Sequence, residues 1–454
     1  MGINTDLAPW LQASKLSFST DLGGSLKGAF SADIIVVGAG IAGASAAFEF
    51  AEAGFNVLVL EKENEVASLG SGNLQGMLYL KLSPHLTYQN DLITFGFEKT
   101  LSVLNQLTNQ GLLVKGVDWD NPGLLQLETS IKQAGNQAKL ADRYPESLMY
   151  KVDQAKASQL AGIPLTAGGL FFPQSGWVSP PAFVRALLAH SNITVKTGMN
   201  VIEMQQLNTQ IKEASVPRWE IVIESGIKFQ SKVVVLAMAD RVTDLSICES
   251  IPFTVVRGQT TTVKSESHLN IVVSGEGYIA PSKIISGEAF TTFGATFHRD
   301  KTGGDPTFSE HLENIAMLKL NSPVLVERLG LADLDESTQG VKEGVQLEGR
   351  AATRASAMGS LPIVGPIANR SLFLKRFDAI RLDAKAIPDE VVPWEEGIYL
   401  TTAHGSRGMI TASISAEILK EYVLGTIEKS RFSQALLGAI HPNRFFYREL
   451  RFGQ

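Results

Sequence analysis

The stretch from Asp33 to Lys62 constrains this chain more than any other, because it carries several structural signals in a fixed order. The apolar run Ile34–Val37 is typical of a buried parallel strand. A glycine-rich turn, an alanine-rich helix and a second strand that ends at Glu61 follow it. This order predicts one complete βαβ unit.

The turn between the first strand and the helix has the spacing GxGxxG, at Gly38, Gly40 and Gly43. Gly38 allows the tight turn, Gly40 lets a pyrophosphate approach the backbone, and Gly43 lets the helix pack closely on the strand. The helix N-terminus offers N–H groups to the anion. Glu61, about 20 residues further on, is placed to hydrogen-bond ribose hydroxyls. Together these features predict a dinucleotide-binding site.

Length and composition limit the class of protein. With 454 residues, the chain is long enough for two or more domains, or for one large body with interleaved domains. Its formal net charge of −6 argues against a generally basic coat for nucleic acid, but not against a local patch. The single cysteine, Cys248, excludes an intramolecular disulfide and fits a reducing compartment. We identify no signal peptide, transmembrane span or metal site, and therefore expect a soluble cytoplasmic protein.

Hydrophobic periodicity predicts further regular elements. Helices are expected from about Tyr88 to Gln110, from Pro181 to about His190 and around Leu312–Leu329. The wholly apolar run Val233–Ala237 predicts a central parallel strand. Runs in which apolar and polar residues alternate predict a second, antiparallel sheet between about residues 253 and 349.

Glycine and proline clusters predict loops. The small-residue segment 66–76 is interpreted as an irregular loop that lets a flat ligand approach the backbone. Residues 169–173 and 176–181 are interpreted as a re-entry loop. Residues 1–31 are interpreted as an N-terminal extension.

A second combination of strand, glycine turn and helix occurs near the other end of the chain. The run Ile398–Thr401 predicts a buried strand, Gly405–Gly408 a turn, and the residues to about Leu424 an amphipathic helix. The start of such a helix can place N–H groups against an electron-rich ligand edge. The alternative is an ordinary connection between a strand and a helix.

These motifs resemble the D-amino-acid oxidase superfamily of FAD-dependent amine oxidoreductases over most of residues 33–425. The resemblance is closer to one branch, the FAD-dependent oxidoreductase part of the bifunctional tRNA 5-methylaminomethyl-2-thiouridine biosynthesis protein. The superfamily resemblance rests on GAGIAGASAA with VLVLEK, on VVVLAMA and on HGSRGM. The branch resemblance rests on SGNLQGMLY at 71–79, RGQ at 257–259, RAATR at 350–354, LPIVG at 361–365 and GSRG at 405–408.

The resemblance implies a mixed α/β fold, in which a Rossmann-like FAD-binding domain is interleaved with an antiparallel-sheet substrate domain of the glycine oxidase type. The FAD-binding domain is expected to comprise residues 32–95, 170–252 and 350–428. The substrate domain is expected to comprise residues 96–169 and 253–349. A basic, aromatic tail, 429–454, completes the chain.

The resemblance also implies noncovalent FAD. Some superfamily members attach FAD through a His or Cys, but neither occurs in the loop 70–76, and Cys248 lies outside the C-terminal turn. The first glycines would hold the pyrophosphate, Glu61 the ribose, Val201 the adenine, and the C-terminal turn the pyrimidine edge of the flavin. The residues expected to bind FAD are Gly38, Gly40, Ile41, Ala42, Gly43, Glu61, Lys62, Asn73, Leu74, Gln75, Gly76, Val201, Ala237, Gly405, Ser406, Arg407, Gly408 and Met409.

In the tRNA-modifying branch, this kind of domain oxidatively removes the carboxymethyl group from 5-carboxymethylaminomethyl-uridine at the wobble position. Only about thirty residues precede the flavin unit here, so any methylation is expected to need a separate methyltransferase. Two alternatives remain open. The protein is a small-amine oxidase of the glycine or sarcosine type, or it is a flavin-binding partner of a methyltransferase without turnover.

Four residues are candidates for the substrate site. Arg350 is the first choice for clamping a substrate carboxylate, because a guanidinium pairs with a carboxylate in a bidentate way. Arg354 would assist it or bind phosphate, and Tyr278 resembles a substrate-facing tyrosine of the superfamily. His404 would lie beside the flavin, where a cation could stabilise the reduced ring. A packing or structural role is the alternative for each.

The tail 429–454 contains five Lys or Arg residues against one acid, with aromatic residues interleaved. This composition suits contact with phosphate and stacking on RNA bases. The alternative is a segment docked by its aromatic side chains, with its arginines in solvent.

Overall fold

The structure is a computed structural model that describes residues 32–207, 218–299, 303–337, 346–383, 388 and 390–453. The segment 1–31, expected to be an extension, lies outside these ranges. The chain forms two compact units. The first unit comprises the described residues of Met1–Ser68, Val184–Thr254 and Ala355–Gln454, and the second comprises those of Leu69–Phe183 and Val255–Arg354.

The strands within the described ranges follow in chain order. They are β1 (Ile34–Val37), β2 (Val57–Leu60), β3 (Gly76–Leu78), β4 (Trp119–Asp120), β5 (Leu124–Leu127), β6 (Tyr150–Val152), β7 (Gly169–Phe172), β8 (Gly176–Val178), β9 (Ile193–Lys196), β10 (Val201–Leu207), β11 (Arg218–Ile223), β12 (Lys228–Ser231), β13 (Val233–Leu236), β14 (Thr254–Val263), β15 (Val272–Gly275), β16 (Gly277–Ile279), β17 (Lys283–Ile285), β18 (Glu288–Gly294), β19 (Leu347–Ser356), β20 (Ile363–Ala368) and β21 (Trp394–Thr402).

The α-helices of the same ranges are α1 (Ile41–Glu52), α2 (Tyr88–Asn109), α3 (Ile131–Arg143), α4 (Gln154–Ala161), α5 (Pro180–Leu188), α6 (Phe308–Asn321), α7 (Pro323–Arg328), α8 (Arg370–Arg376), α9 (Gly408–Val423), α10 (Gln434–Ile440) and α11 (Arg444–Phe452).

The first unit contains a sheet with the strand order β20-β21-β13-β1-β2-β9. The strands from β21 to β9 run parallel, and β20 is antiparallel to β21. The predicted central strand β13 lies between β1 and β21, and its four residues are buried, as are those of β1 and β2. Burial on both faces explains why these strands are continuous apolar runs rather than alternating ones.

The topology of this sheet gathers the predicted cofactor residues at one edge. Gly38 follows β1, Glu61 follows β2, Ala237 follows β13, and the second glycine turn, which begins at Gly405, follows β21. Because the strands are parallel, these residues all leave the carboxyl edge of the sheet, where ligands bind in open α/β folds.

The second unit is built on an extensive, mostly antiparallel sheet with the order β19-β14-β18-β16-β15-β5-β7-β6, to whose strand β18 the short β17 also pairs. A smaller sheet has the order β3-β8-β4. The second sheet predicted between residues 253 and 349 is therefore confirmed. One buried core of this unit joins strand residues such as Leu125 and Phe293 to helix residues such as Leu318 and Leu325.

Local sequence explains the helix boundaries. The predicted helix from Tyr88 is confirmed, and it begins after Thr87, whose side chain accepts a hydrogen bond from the N–H of Asn90. The helix expected around 312–329 is instead two helices, α6 and α7. Ser322 caps α7 and Pro323 starts it, and proline has no N–H to continue the preceding helix.

Two sequence interpretations differ from the structure. The stretches interpreted as a re-entry loop are the buried strands β7 and β8, because their apolar residues pair with β5 and β3. The compact units also divide the chain differently from the expected domains. Residues 69–95 and 170–183 group with the second unit, and the tail from 429 groups with the first.

Within the described ranges, no helix is both long enough and apolar enough to cross a membrane.

Candidate functional site: two glycine turns and a cluster of arginines

The first glycine turn depends on its glycines for steric reasons. Gly38 has a φ of +104°, and a Cβ at this position would lie 2.6 Å from the carbonyl oxygen of Ala237. A Cβ on Gly43 would lie 1.9 Å from the carbonyl oxygen of Gly38. The predictions that Gly38 permits the turn and that Gly43 permits close packing are therefore confirmed.

The turn leads into a helix N-terminus suited to an anion. Gly40 is the N-cap residue of α1, and within the described ranges no side chain caps this end. Glu61 is buried, and its carboxylate accepts hydrogen bonds from the N–H of Ala39 at 2.6 Å and from that of Glu63 at 3.0 Å. Glu61 thus fixes the backbone of the turn from which the helix starts.

The second glycine turn lies in the same unit. Gly405 has a φ of +56°, and a Cβ there would lie 2.7 Å from the Oγ of Ser356. A Cβ on Gly408, the first residue of α9, would lie 3.2 Å from the Cγ2 of Ile41. The N-termini of α1 and α9 are therefore in contact, and within the described ranges no side chain caps α9 either. Two helix dipoles present their positive ends at one place.

His404, which precedes this turn, is a neutral residue. Its Nδ1 lies 2.8 Å from the Oγ1 of Thr411 and its Nε2 lies 3.1 Å from the Oγ1 of Thr401. Desolvation lowers the pKa of the imidazole to about 4. The cationic role suggested by the sequence does not agree with this environment, because the ring is uncharged near pH 7.

The remaining predicted residues of the first unit occupy different environments. Val201, Ala237 and Met409 are buried, whereas Ser406 is exposed. Lys62 forms an ion pair with Glu63 at 3.2 Å. The half-buried residues are Gly40, Ile41, Ala42, Gly405, Arg407 and Gly408.

The second unit contains residues 69–76 of the loop 66–76, which was predicted to approach a flat ligand. Gln75 is fully buried at its end. The hydroxyl of Tyr278 donates to the carbonyl oxygen of Gln75 at 2.9 Å, and the Nε2 of Gln75 donates to the carbonyl oxygen of Pro281 at 2.9 Å. The Oε1 of Gln75 has no hydrogen-bond partner among the described residues. A buried acceptor in this state suits an N–H donor of a bound ligand.

Arg350 contacts the same loop. Its Nη1 donates to the Oδ1 of Asn73 at 3.2 Å, and its Nη2 donates to the carbonyl oxygen of Leu69. A Cβ on Gly70 would lie 3.1 Å from the carbonyl oxygen of Thr353, so the loop backbone runs close to β19. Asn73, Leu74 and Gly76, all predicted to bind FAD, are half-buried in this loop.

Arg354 lies four residues further along β19, but its environment is different. Within the described ranges we find no hydrogen bond or ion pair for its guanidinium. Burial lowers the pKa of Arg354, and the nearby Tyr278 has the opposite influence on it. The pKa of Tyr278 is itself raised to about 12 by desolvation, so its hydroxyl stays protonated near pH 7.

Sequence reasoning assigned no role to Gly258, although it lay in a quoted motif. A Cβ on Gly258 would lie 2.7 Å from the Nη2 of Arg354, so this glycine makes room for the guanidinium. Its neighbour Arg257 forms a buried ion pair with Glu310, which is a structural contact. The only sequence signal for Gly258 was its place beside Arg257 in the motif RGQ.

The donors and acceptors described for the first unit fit a dinucleotide. The crowded glycines provide close backbone approach, and the paired helix N-termini suit a pyrophosphate.

Cys248 is fully buried in the core of this unit, and burial raises the pKa of its thiol, so it is an inert structural cysteine.

The C-terminal tail is docked rather than extended. It forms α10 and α11, and Phe432, Phe445, Phe446 and Tyr447 are buried. Arg444 is buried as well, and it donates to the carbonyl oxygen of Pro362 at 2.9 Å. The suggestion that these aromatic residues stack on RNA is therefore wrong, because their rings complete the protein core.

One aromatic side chain near the end of the tail is exposed to solvent. Phe452 is 54% exposed, and the guanidinium groups of Arg448 and Arg451 lie 5.5 and 5.1 Å from its ring centroid. These three residues are called the Arg448–Phe452 patch below.

The parallel sheet of the first unit and the mostly antiparallel sheet of the second unit are consistent with an FAD-dependent oxidoreductase, and the sequence family shows that class. A family model for the FAD dependent oxidoreductases, DAO, matches residues 33–422. The chain belongs to this family, and FAD is therefore its cofactor.

The curated relatives include bifunctional proteins of tRNA modification. The chain is 38% identical over 419 residues to the tRNA 5-methylaminomethyl-2-thiouridine biosynthesis bifunctional protein MnmC of Pseudomonas syringae pv. syringae. The match covers 92% of this chain and 59% of that protein. The protein of the same name from Pseudomonas putida GB-1 is also 38% identical, with coverages of 92% and 60%. The chain thus spans about three fifths of the length of these relatives.

Solved structures confirm the fold. Glycine oxidase from Geobacillus kaustophilus superposes with a TM-score of 0.69 at 17% identity, covering 91% of this chain and 99% of that one. Iminodiacetate oxidase from Chelativorans sp. BNC1 gives a TM-score of 0.63 at 17% identity, with coverages of 86% and 95%. The predicted α/β fold of the glycine oxidase type is confirmed.

Proposed function

We propose that this protein is an FAD-dependent amine oxidoreductase that removes the carboxymethyl group from 5-carboxymethylaminomethyl-(2-thio)uridine at the tRNA wobble position. The observation that carries the proposal is the 38% identity, over 92% of the chain, to proteins named for the biosynthesis of 5-methylaminomethyl-2-thiouridine in tRNA. The product would carry a primary aminomethyl group, which a methyltransferase can convert to methylaminomethyl. A methyltransferase activity is therefore proposed to act on the product, and a tRNA substrate implies a cytoplasmic location.

The reaction requires a neutral amine nitrogen and a fixed carboxylate. Bound FAD would supply the two-electron acceptor for a hydride from the methylene group between the amine and the carboxylate. Water then hydrolyses the resulting imine, and the products are the aminomethyl nucleoside and glyoxylate. No protein nucleophile takes part in this sequence.

The protein residues have binding and orienting tasks in this scheme. A partly desolvated arginine would hold the carboxylate so that the methylene group is correctly oriented. Tyr278 would remain a neutral phenol, because its pKa is raised to about 12. It would therefore add no negative charge that would keep the substrate amine protonated.

A tRNA substrate also needs a cationic surface, since phosphate contacts supply most of the affinity for nucleic acid. The Arg448–Phe452 patch is our candidate for this contact, because it combines two guanidinium groups with an exposed aromatic ring. Deleting the whole tail would not test it. The deletion would also remove Phe445 and Phe446 from the core, so point substitutions in the patch are the suitable variants.

The proposal is tested by anaerobic reduction of the purified holoenzyme, followed through the loss of flavin absorbance. One sample receives tRNA that carries carboxymethylaminomethyl-uridine, a second receives the same tRNA without the modification, and two more receive glycine and sarcosine. Bleaching by the modified tRNA alone, with stoichiometric glyoxylate, supports the proposal. Bleaching by glycine or sarcosine alone moves the assignment to a small-amine oxidase. If none of the samples bleaches the flavin, the result indicates that the protein is a flavin-binding partner of a methyltransferase without turnover.

A further inference from the structure

An exposed aromatic residue, Phe297, lies just beyond the end of β18 in the second unit. Its side chain is 58% exposed, and the guanidinium group of Arg299, which is also exposed, lies 5.6 Å from the centroid of its ring. These two residues are called the Phe297–Arg299 pair below. A single exposed apolar side chain needs no explanation by itself, so the place of the pair on the sheet decides what it can bind.

The segment 296–298 runs alongside β14. Arg257 and His298 exchange two backbone hydrogen bonds, each of 2.9 Å. The N–H of Thr296 donates to the carbonyl oxygen of Gln259 at 3.1 Å. Phe297 is therefore directly opposite residue 258, and opposite residues of an antiparallel pair place their side chains on the same face.

The residues on either side of Phe297 face the helix α6. The hydroxyl of Thr296 donates to the Oε1 of Glu310 at 3.2 Å. The Nε2 of His298 lies 3.3 Å from the same oxygen. Because side chains alternate along an extended strand, Phe297 and Arg299 point to the other face.

That other face carries candidate substrate residues. A Cβ on Gly258 would lie 2.7 Å from the Nη2 of Arg354, so this guanidinium lies against the residue opposite Phe297. Tyr278 is near enough to Arg354 to influence the pKa of its guanidinium. One face of the sheet thus combines half-buried polar groups with an exposed ring and an exposed cation.

This combination suits a nucleotide better than a small amine. Glycine and sarcosine have no aromatic ring and no phosphate, whereas a nucleotide offers a base for stacking on an aromatic side chain and a phosphate for a guanidinium. In the proposed substrate, only the chain CH2–NH–CH2 separates the uracil ring from the carboxylate. An amine bound near Arg354 would therefore bring the uracil ring close to Phe297.

We propose that Phe297 stacks on the uracil ring of the substrate nucleotide and that Arg299 binds a phosphate beside it. The ligand class is a pyrimidine nucleotide within an RNA strand. This inference rests on the proposed function, because it takes the substrate to be RNA, and it assigns the residues that recognise the base.

The experiment measures RNA binding separately from oxidation. The holoenzyme is titrated into a fluorescent anticodon stem-loop with an unmodified wobble uridine, and the anisotropy is recorded at several salt concentrations. A second stem-loop lacks the base at that position. The variants are Phe297→Ala, Phe297→Trp, Arg299→Met and Arg299→Lys.

Two matched controls come from the same unit. Ile284→Ala removes an apolar side chain that is also 58% exposed, on the strand β17. Arg328→Met removes an exposed arginine at the end of α7. Both controls should bind the RNA as the unaltered protein does.

The expected pattern assigns the base and the phosphate to different residues. Phe297→Ala should weaken binding by about tenfold, as is typical for the loss of one stacked base, and Phe297→Trp should keep the affinity. With the stem-loop that lacks the base, Phe297→Ala should cause no further loss. Arg299→Met should lower the slope of log affinity against log salt by about one, and Arg299→Lys should keep that slope.

Several results would overturn the inference. An RNA affinity that Phe297→Ala leaves unchanged, or reduces equally when the base is absent, would exclude the stacking contact. An unaltered salt slope in Arg299→Met would exclude the phosphate contact, and failure of the unaltered holoenzyme to bind the stem-loop would exclude both. Because this RNA is unmodified, a flavin that modified tRNA does not reduce would contradict the proposed oxidation and leave the recognition of the base standing.

Discussion

Substitution of Gly43 by alanine provides the sharpest test of the cofactor turn. The new Cβ would lie 1.9 Å from the carbonyl oxygen of Gly38 and 3.2 Å from the Cγ1 of Val36. The first distance is about 1.5 Å shorter than ordinary van der Waals contact, and its partner is backbone that cannot rotate away. Either α1 or the turn must therefore move.

The cost can be worked out from two opposing effects. Overpacking of this kind costs about 1–3 kcal/mol. Alanine in place of glycine within a helix returns about 1 kcal/mol. We expect a net loss of about 0–2 kcal/mol in the free energy of unfolding. A displaced turn should also lose at least one N–H contact to the pyrophosphate, which weakens FAD binding by about tenfold or more.

Gly135→Ala is the matched control. Gly135 lies inside α3 and is exposed, and no atom lies within 4 Å of the position that a Cβ would take there. The same chemical change there should raise the free energy of unfolding by about 0.5–1 kcal/mol and leave FAD affinity unchanged. Urea unfolding of the apoprotein and FAD titration by fluorescence quenching measure both quantities. If Gly43→Ala behaves like Gly135→Ala in both assays, the steric account of the turn is refuted.

Three further results are expected. Glu61→Gln should weaken FAD binding by about tenfold in the same titration, because an amide cannot accept both backbone hydrogen bonds that the carboxylate accepts; unchanged affinity would contradict this. The pKa of His404 is lowered from 6.5 to about 4, so the unfolded chain binds more protons between these values, and stability should fall as the pH drops from 6.5 to 4. The variant His404→Gln should lose less of its free energy of unfolding between pH 6.5 and 4 than the unaltered protein does. Equal losses in the two proteins, measured by urea unfolding, would exclude the histidine as the cause. Arg448→Glu with Arg451→Glu should weaken tRNA binding and flatten its salt dependence, and an unaltered salt slope in filter binding would remove the patch from the interface.

The dinucleotide part of the fold followed from local sequence because its signals are short-range. The strand Ile34–Val37, the glycines after it and the acid at 61 lie within one supersecondary unit, and each has a steric or hydrogen-bonding reason to be there. Apolar runs identified β13 for the same reason, because a strand buried on both faces has no polar position to obscure it.

Other elements could not be obtained in this way. The strands β7 and β8 are flanked by glycine and proline and look like loop, and only pairing with β5 and β3 makes them strands. The tail shows a similar limit. Its composition is that of a basic, aromatic segment, and only packing shows that Phe445 and Phe446 face the core while Phe452 does not.

The amino-acid sequence by itself determined the first glycine turn, because this turn depends on spacing along a single βαβ unit. The family and its FAD followed from several short motifs along the chain. The tertiary structure decided which charged groups have partners. The sequence made Arg350 the first choice for the carboxylate, with Arg354 assisting it, and it made His404 a candidate cation, but it could not show the neighbours of these side chains. The contacts of Arg350 with the loop, the space that Gly258 leaves for Arg354, and the two threonines around His404 depend on how the chain folds around each side chain. The charge and availability of a side chain depend on such neighbours, and the sequence order does not specify them.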